Sequence, residues 1–341
     1  MVDRRTLLAG AVMLPIAARA EERWDAIVDP RTGTLGKALE QAAAAGGRPF
    51  RILIREGVLV EKLTITIPNL TIVGSGRGTM LSFGTYAGLK HPDGNNWGTG
   101  RTGTLTLAAP GTTLRNLTIR NSFDFIGAKR DNAGNGAQAV ALVIGREADR
   151  TLVEHCWLEG YQDTLYVQGR SRIADCRIAG GVDFIFGGAA AWFERCEIVT
   201  RLVPNVPEFG YLTAPSTPLD QPFGLVFSHC RLTHEHGVPV RSTWLGRPWR
   251  AGGNMALTGQ SVFLDCWMDA HIKREGWTWM GYKGPAGEQR RLTPQEARLF
   301  EHASRGPGAG PVSPTRRILG AAEAARFTRA NVLGDWDGSG G

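Results

Sequence analysis

The sequence predicts an all-β solenoid built from coils of about twenty residues, and three observations carry that prediction. Cys156, Cys176 and Cys196 recur at intervals of twenty, and a residue type returning at such a period marks one coil per repeat. Asp163 and Asp183 keep the same interval, each opening a short apolar run, Thr-Leu-Tyr-Val and Phe-Ile-Phe. The 45 glycines and a charged fraction of 21% suit many short strands joined by turns. Neighbouring parallel strands lie about 4.7–4.9 Å apart. The two carboxylates are therefore expected side by side on successive coils. One aspartate in such a place is ordinarily a solvated turn residue; two at the mouths of stacked strands make a pair.

In chain order, residues 1–20 combine Arg4 and Arg5, an apolar run over 7–17 and an Ala18-Arg19-Ala20 cleavage pattern. That is the layout of a signal peptide, with a twin-arginine-like start. It is shorter than the roughly 20 apolar residues a membrane span needs, so no membrane span is expected. The protein is expected to be exported, to the periplasm or beyond, with residues 21–341 as a single domain. The formal charge is +7, and losing three arginines and one aspartate with the leader leaves +5. A basic balance suits polyanions in general and selects none of them by itself.

Residues 34–45 read as a short helix stopped by Gly46-Gly47, placed to cap the first coil and cover its open strand edge. Residues 50–54, 63–67 and 70–73 read as strands broken by Gly, Pro and Asn. Pro68-Asn69-Leu70-Thr71-Ile72 and Arg115-Asn116-Leu117-Thr118-Ile119 are near copies, read as a coil repeat rather than as glycosylation sequons. Residues 85–103 form a polar loop, and 138–144 the next strand. Cys156, Cys176, Cys196, Cys230 and Cys266 share one local pattern, with apolar residues two or three before and two after. Alternation then makes each cysteine a small buried strand residue in one column, without disulfides. The gaps of 34 and 36 residues between the later cysteines hold inserted loops. Thr293-Pro294-Gln295-Glu296 reads as a capped helix start, residues 301–314 as linker, and 321–327 as a closing helix in a tail packed along the solenoid.

The chemistry follows from stacking. Gln138, then Gln162 with Asp163, then Asp183 each precede a strand on successive coils. Two carboxylates forced together cannot ionise independently, so one stays anionic while its partner holds a proton. Primary amides can donate hydrogen bonds to a developing oxyanion. Arg247, in Leu245-Gly246-Arg247-Pro248-Trp249, can grip a carboxylate with two parallel hydrogen bonds. Trp249 offers a flat face for a sugar ring. His234-Glu235-His236 reads as loop, and no metal or cofactor is called for.

Taken together these motifs resemble the pectinesterase family: Gln138 to Leu142, Gly160 to Tyr166, Val182 to Gly187 and Leu245 to Trp249, with Phe300 to Ala309 similar to its C-terminal pattern. The resemblance runs from about Trp24 to Trp336. It implies a single-stranded, right-handed parallel β-helix and hydrolysis of the methyl esters of pectin (homogalacturonan). It further implies Asp183 as nucleophile, Asp163 as acid/base, Gln138 and Gln162 as the oxyanion hole, and Arg247 as the anchor of the nucleophile. Trp249, Phe186, Val182, Tyr161 and Met280 match substrate-contacting positions. The implied partner is methyl-esterified pectin, with no nucleic acid, and a monomer is expected. Two departures, Gly57-Val58-Leu59-Val60-Glu61 and Val143, lie away from this chemistry. A lyase or polygalacturonase on the same scaffold would want a calcium-binding acidic cluster or three carboxylates. A non-catalytic carbohydrate-binding solenoid would not need the amide pair and the arginine together.

Overall fold

The computed structural model describes residues 23–130, 136–204 and 210–340; the signal peptide expected at residues 1–20 lies outside them. One coil shows how the chain is laid. Thr151–Glu154, Trp157–Glu159 and Leu165–Val167 are short strands on three different sheets, and Ser171–Ala174 returns to the first. Repetition builds parallel sheets of ten, eight and seven strands around one apolar interior. The fold is a parallel β-helix, as expected.

Inward positions stack in columns because the register is parallel from coil to coil. Val153, Ile173, Phe193, Phe227 and Phe263 form one such column. The last three rings are stacked with centroids 4.4 and 4.6 Å apart, and all five residues are fully buried. Cutting one of these rings to alanine would cost about 3–5 kcal/mol.

The cysteines also form a buried column of free thiols, but not within strands. Each sits at the corner between the ten- and eight-stranded sheets. The residue before it (His155, Asp175, Arg195, His229 or Asp265) has φ between 52° and 54°. One left-handed residue bends the chain, so simple strand alternation does not apply there; Asn, Asp and His tolerate that conformation better than most. Asn69 and Asn116 use the same turn, with φ of 56° and 54°. They serve different corners, however. Asn69 leads into Leu70–Gly74 on the ten-stranded sheet, and Asn116 into Thr118–Asn121 on the eight-stranded one. The near copies are thus repeated turns rather than one repeated coil position.

At the N-terminal end, Leu35–Ala44 is a helix capped by the Thr34 side chain, and it buries Leu35, Ala38, Leu39 and Ala42. It packs on Ala26–Val28 and Phe50–Ile54, covering the first coils as expected; Ala26–Val28 is a strand with no expected counterpart. Two expected strands are shorter than their apolar runs: Leu63–Ile65, and Leu142–Ile144, ahead of which Gln138 lies in irregular chain.

The C-terminal part differs most from expectation. Glu296 does accept hydrogen bonds from the backbone N and hydroxyl of Thr293, at 2.9 and 2.6 Å. The chain then enters the strand Arg298–His302 instead of a helix, because Phe263↔Glu301 pairing continues the ten-stranded sheet. Glu301 and His302 are therefore strand, not linker. The closing helix expected at 321–327 ends at Ala324, and a second helix, Arg329–Leu333, follows beyond its expected end. Leu319, Val332, Leu333 and Trp336 of this tail cover Leu152, Trp192, Val226 and Val262 on the outer face of the ten-stranded sheet.

Candidate active site

The seven-stranded sheet carries the site. Leu165 pairs with Ile185, and Gln162 with Val182, which sets Asp163 beside Asp183 at the mouths of adjacent strands. Both aspartates have positive φ, 65° and 48°. Such backbone costs about 1–3 kcal/mol for a residue with a Cβ, and strain of this kind gathers where a side chain must be aimed. The strand Trp244–Gly246, two strands beyond that of Asp183, delivers Arg247. A Cβ on Gly246 would lie 2.1 Å from Thr213 Oγ1, so only glycine lets this strand come close enough.

Arg247 Nε and Nη2 donate to the two oxygens of Asp183 at 2.9 and 2.6 Å. The guanidinium also lies over the Tyr211 ring, 3.9 Å from its centroid. Asp163 and Asp183 are only 7% and 8% exposed. Burial, then the charge of Asp183, pushes the Asp163 carboxyl well above the usual carboxylate range. Burial raises Asp183 as well, against the hydrogen bonds and charge of Arg247. Both members of the pair are thus raised, because desolvation acts on each. The asymmetry has the expected sign: Arg247 grips Asp183, so Asp163 is the better place for a shared proton.

Gln138 and Gln162 line the same cleft, a space of about 320 Å³. Their order is set by the backbone, where Ala139 N donates to Gln162 O at 3.1 Å. The floor is formed by Tyr166, Phe186 and Ala214, three steps of one outward column whose next member, Val143, packs beside them without lining the cleft. Tyr166 and Phe186 are stacked 4.3 Å apart at 4°, and Trp249 meets Phe186 edge-on at 5.8 Å. Met280, from the hairpin Met280–Lys283 and Gln289–Leu292, packs against this group. Thr99 and Gly100 of the 85–103 loop close one side.

Eight of the ten expected site residues therefore meet at one cleft: Asp163, Asp183, Gln138, Gln162, Arg247, Phe186, Trp249 and Met280. Tyr161 and Val182 are not among its lining residues. Tyr161 is stacked on Phe125 at 5.3 Å and covered by the Arg201 guanidinium at 3.9 Å, while Val182 is buried and bridges to Gln162 through the backbone. The sequence motifs by themselves assign no role to Tyr166 or Tyr211, which stack on Phe186 and under Arg247. Alternation along Thr-Leu-Tyr-Val, with Leu165 and Val167 buried, is the signal that would have turned Tyr166 outward. His234 lies 3.3 Å from Asp269, away from the cleft.

Residues 29–334 match the pectinesterase family model. The chain belongs to the pectinesterase family. It is 42% identical to pectinesterase A of Dickeya chrysanthemi over 94% of this chain and 93% of that protein. Its fold superposes on pectin methylesterase from Erwinia chrysanthemi with a TM-score of 0.88 at 39% identity, covering 94% of this chain and 100% of the other. A pectin methylesterase solved with a bound hexasaccharide gives 0.88 at 40% identity, over 93% and 99% of the two chains. The enzyme from Yersinia enterocolitica gives 0.86 at 40%, over 89% and 99%. This family member is accordingly an enzyme, a carboxylic ester hydrolase of the pectinesterase class. No helix among the described residues is long and apolar enough to cross a membrane.

Proposed function

We propose that this pectinesterase hydrolyses galacturonate methyl esters in pectin with Asp183 as nucleophile, Asp163 as acid/base, and Gln138 and Gln162 as the oxyanion hole. The observation that carries the assignment is the two-pronged Arg247–Asp183 contact beside a second buried carboxyl. Arg247 holds Asp183 anionic and turned into the cleft. A carboxylate oxygen of Asp183 attacks the ester carbonyl carbon, and the amides of Gln138 and Gln162 donate to the oxyanion that forms. Collapse expels the methoxy group, which takes the proton from Asp163 and leaves as methanol. Asp163, now a carboxylate, deprotonates a water that attacks the acyl–Asp183 anhydride. Collapse of that second adduct frees Asp183 and the galacturonate acid, and Asp163 ends protonated again. The net change is ester plus water to acid plus methanol.

The aromatic floor of Tyr166 and Phe186, with Trp249 at its edge, suits stacking against sugar rings. The glycan-bound relative supports a polymeric pectic substrate, and an export leader at residues 1–20 fits encounter with it outside the cytoplasm. The test is methanol release from methylated pectin, run beside assays for new reducing ends and unsaturated products. Methanol alone is expected; new reducing ends or unsaturated products without methanol would refute the reading.

A further inference from the structure

The three sheets give the solenoid three outer faces with different fates. The seven-stranded face holds the cleft, and the tail covers the ten-stranded face. The eight-stranded face carries a column set by parallel register: Trp157, Arg177, Glu197, Arg231, Trp267 and Arg305. These side chains point outward, because the alternate column Leu158, Ile178, Ile198, Leu232 and Met268 is buried. Five steps of strand spacing make the column about 24 Å long.

Charge on this face is uneven. Arg120 and Arg77 share Glu159, Arg201 pairs with Glu235, and Arg177 lies 3.4 Å from Glu197. Arg231 and Arg305 are exposed; Arg231 stands next to Glu197 in the ladder, but Glu197 pairs with Arg177, and neither Arg231 nor Arg305 forms an ion pair among the described residues. Arg231 lies over Trp267, 5.0 Å from its ring centroid, and Arg305 bridges to the far side of Trp267 in the sheet. An indole flanked along a straight ladder by two arginines that form no ion pair among the described residues is complementary to a linear chain of sugar rings bearing carboxylates.

We propose that the eight-stranded face is a second, non-catalytic binding surface for polygalacturonate, with Arg231, Trp267 and Arg305 as its contacts. The identity of the polymer rests on the esterase reading above. Such a surface keeps the enzyme on de-esterified stretches of its own product, raising the effective concentration of ester groups at the cleft.

The test compares wild type with Arg231→Ser/Arg305→Ser on two substrates: a short methylated oligogalacturonide that fills the cleft alone, and long, partly de-esterified pectin. Exposed ion pairs are individually weak and salt-screened, so binding of long polygalacturonate at low salt should weaken about three- to tenfold. KM for the long substrate should rise alongside, with turnover of the short one unchanged. Trp267→Ala, checked for an unshifted melting curve, should act the same way. Unchanged polymer binding, or an equal loss on both substrates, overturns the proposal. A wild-type enzyme that releases no methanol from either substrate refutes the esterase reading instead, while the polymer-binding comparison still decides the surface.

Discussion

Replacing Arg247 with alanine tests how the carboxyl pair is tuned. The wild-type side chain gives Asp183 two charge-assisted hydrogen bonds, at 2.9 and 2.6 Å, in a site where burial already raises that carboxyl. A hydrogen bond to a charged group contributes about 1.5–3 kcal/mol. Since about 1.4 kcal/mol corresponds to one pH unit, losing the guanidinium should raise the Asp183 pKa by at least about one to two. With less of the nucleophile anionic in mild acid, the acid limb of the pH–kcat/KM profile should move up by the same amount. The maximal rate should also fall steeply, because Asp183 loses its orientation. Arg247→Lys keeps the charge but not the planar fork, so it should restore the limb better than the rate. The assay is methanol release from pectin between about pH 4 and 9 for the three proteins. An alanine variant with the wild-type acid limb at reduced height would mean that Arg247 only positions groups, and the tuning argument would be wrong.

Three further expectations can be checked separately. Gln138→Ala should lower kcat about 10²–10³-fold, as loss of one oxyanion donor does; a loss seen only in KM would place the amide in ground-state binding. Denatured, unreduced protein should titrate five thiols, given five buried free cysteines at the sheet corners, whereas a count of one would mean two disulfides. His271 is fully buried with neither ring nitrogen hydrogen-bonded among the described residues, and burial, helped by His234, pushes it from 6.5 to about 3. Below about pH 6.5 the unfolded chain takes up a proton that the native state refuses, so stability is lost as pH falls toward 3. Between pH 7 and 4 His271→Phe should therefore lose about 3 kcal/mol less unfolding free energy than wild type, measured in urea; equal losses would contradict the argument.

The coil period, the capping helix and the stacked aspartates were legible because each is written locally: a fixed interval, a capped alanine-rich run, two short strand mouths. What escaped depends on neighbours in space. The Thr293–Glu296 contact forms as its residues predict, yet pairing with Gln260–Leu264 makes the following segment a strand. The cysteines keep their burial but not their strand placement, because one left-handed residue at each corner resets the alternation. In the site, the contiguous motifs carried the carboxyl, amide and guanidinium groups together. Tyr211 reaches Arg247 only through the sheet order, and Tyr161 turned out to face Arg201 and Phe125. That desolvation would raise both aspartates could not be read from spacing, since it depends on how deeply the coil buries them.

The central claim is that Asp183 is the attacking group. Asp183→Asn keeps the size and most of the packing of the side chain while removing its nucleophilic charge. Methanol release from methylated pectin by this variant, in protein with a wild-type melting curve and retained pectin binding, is the most direct measurement. The account predicts no release above the uncatalysed background, with Asp163→Asn nearly as inactive. Release at the wild-type rate by Asp183→Asn would contradict it.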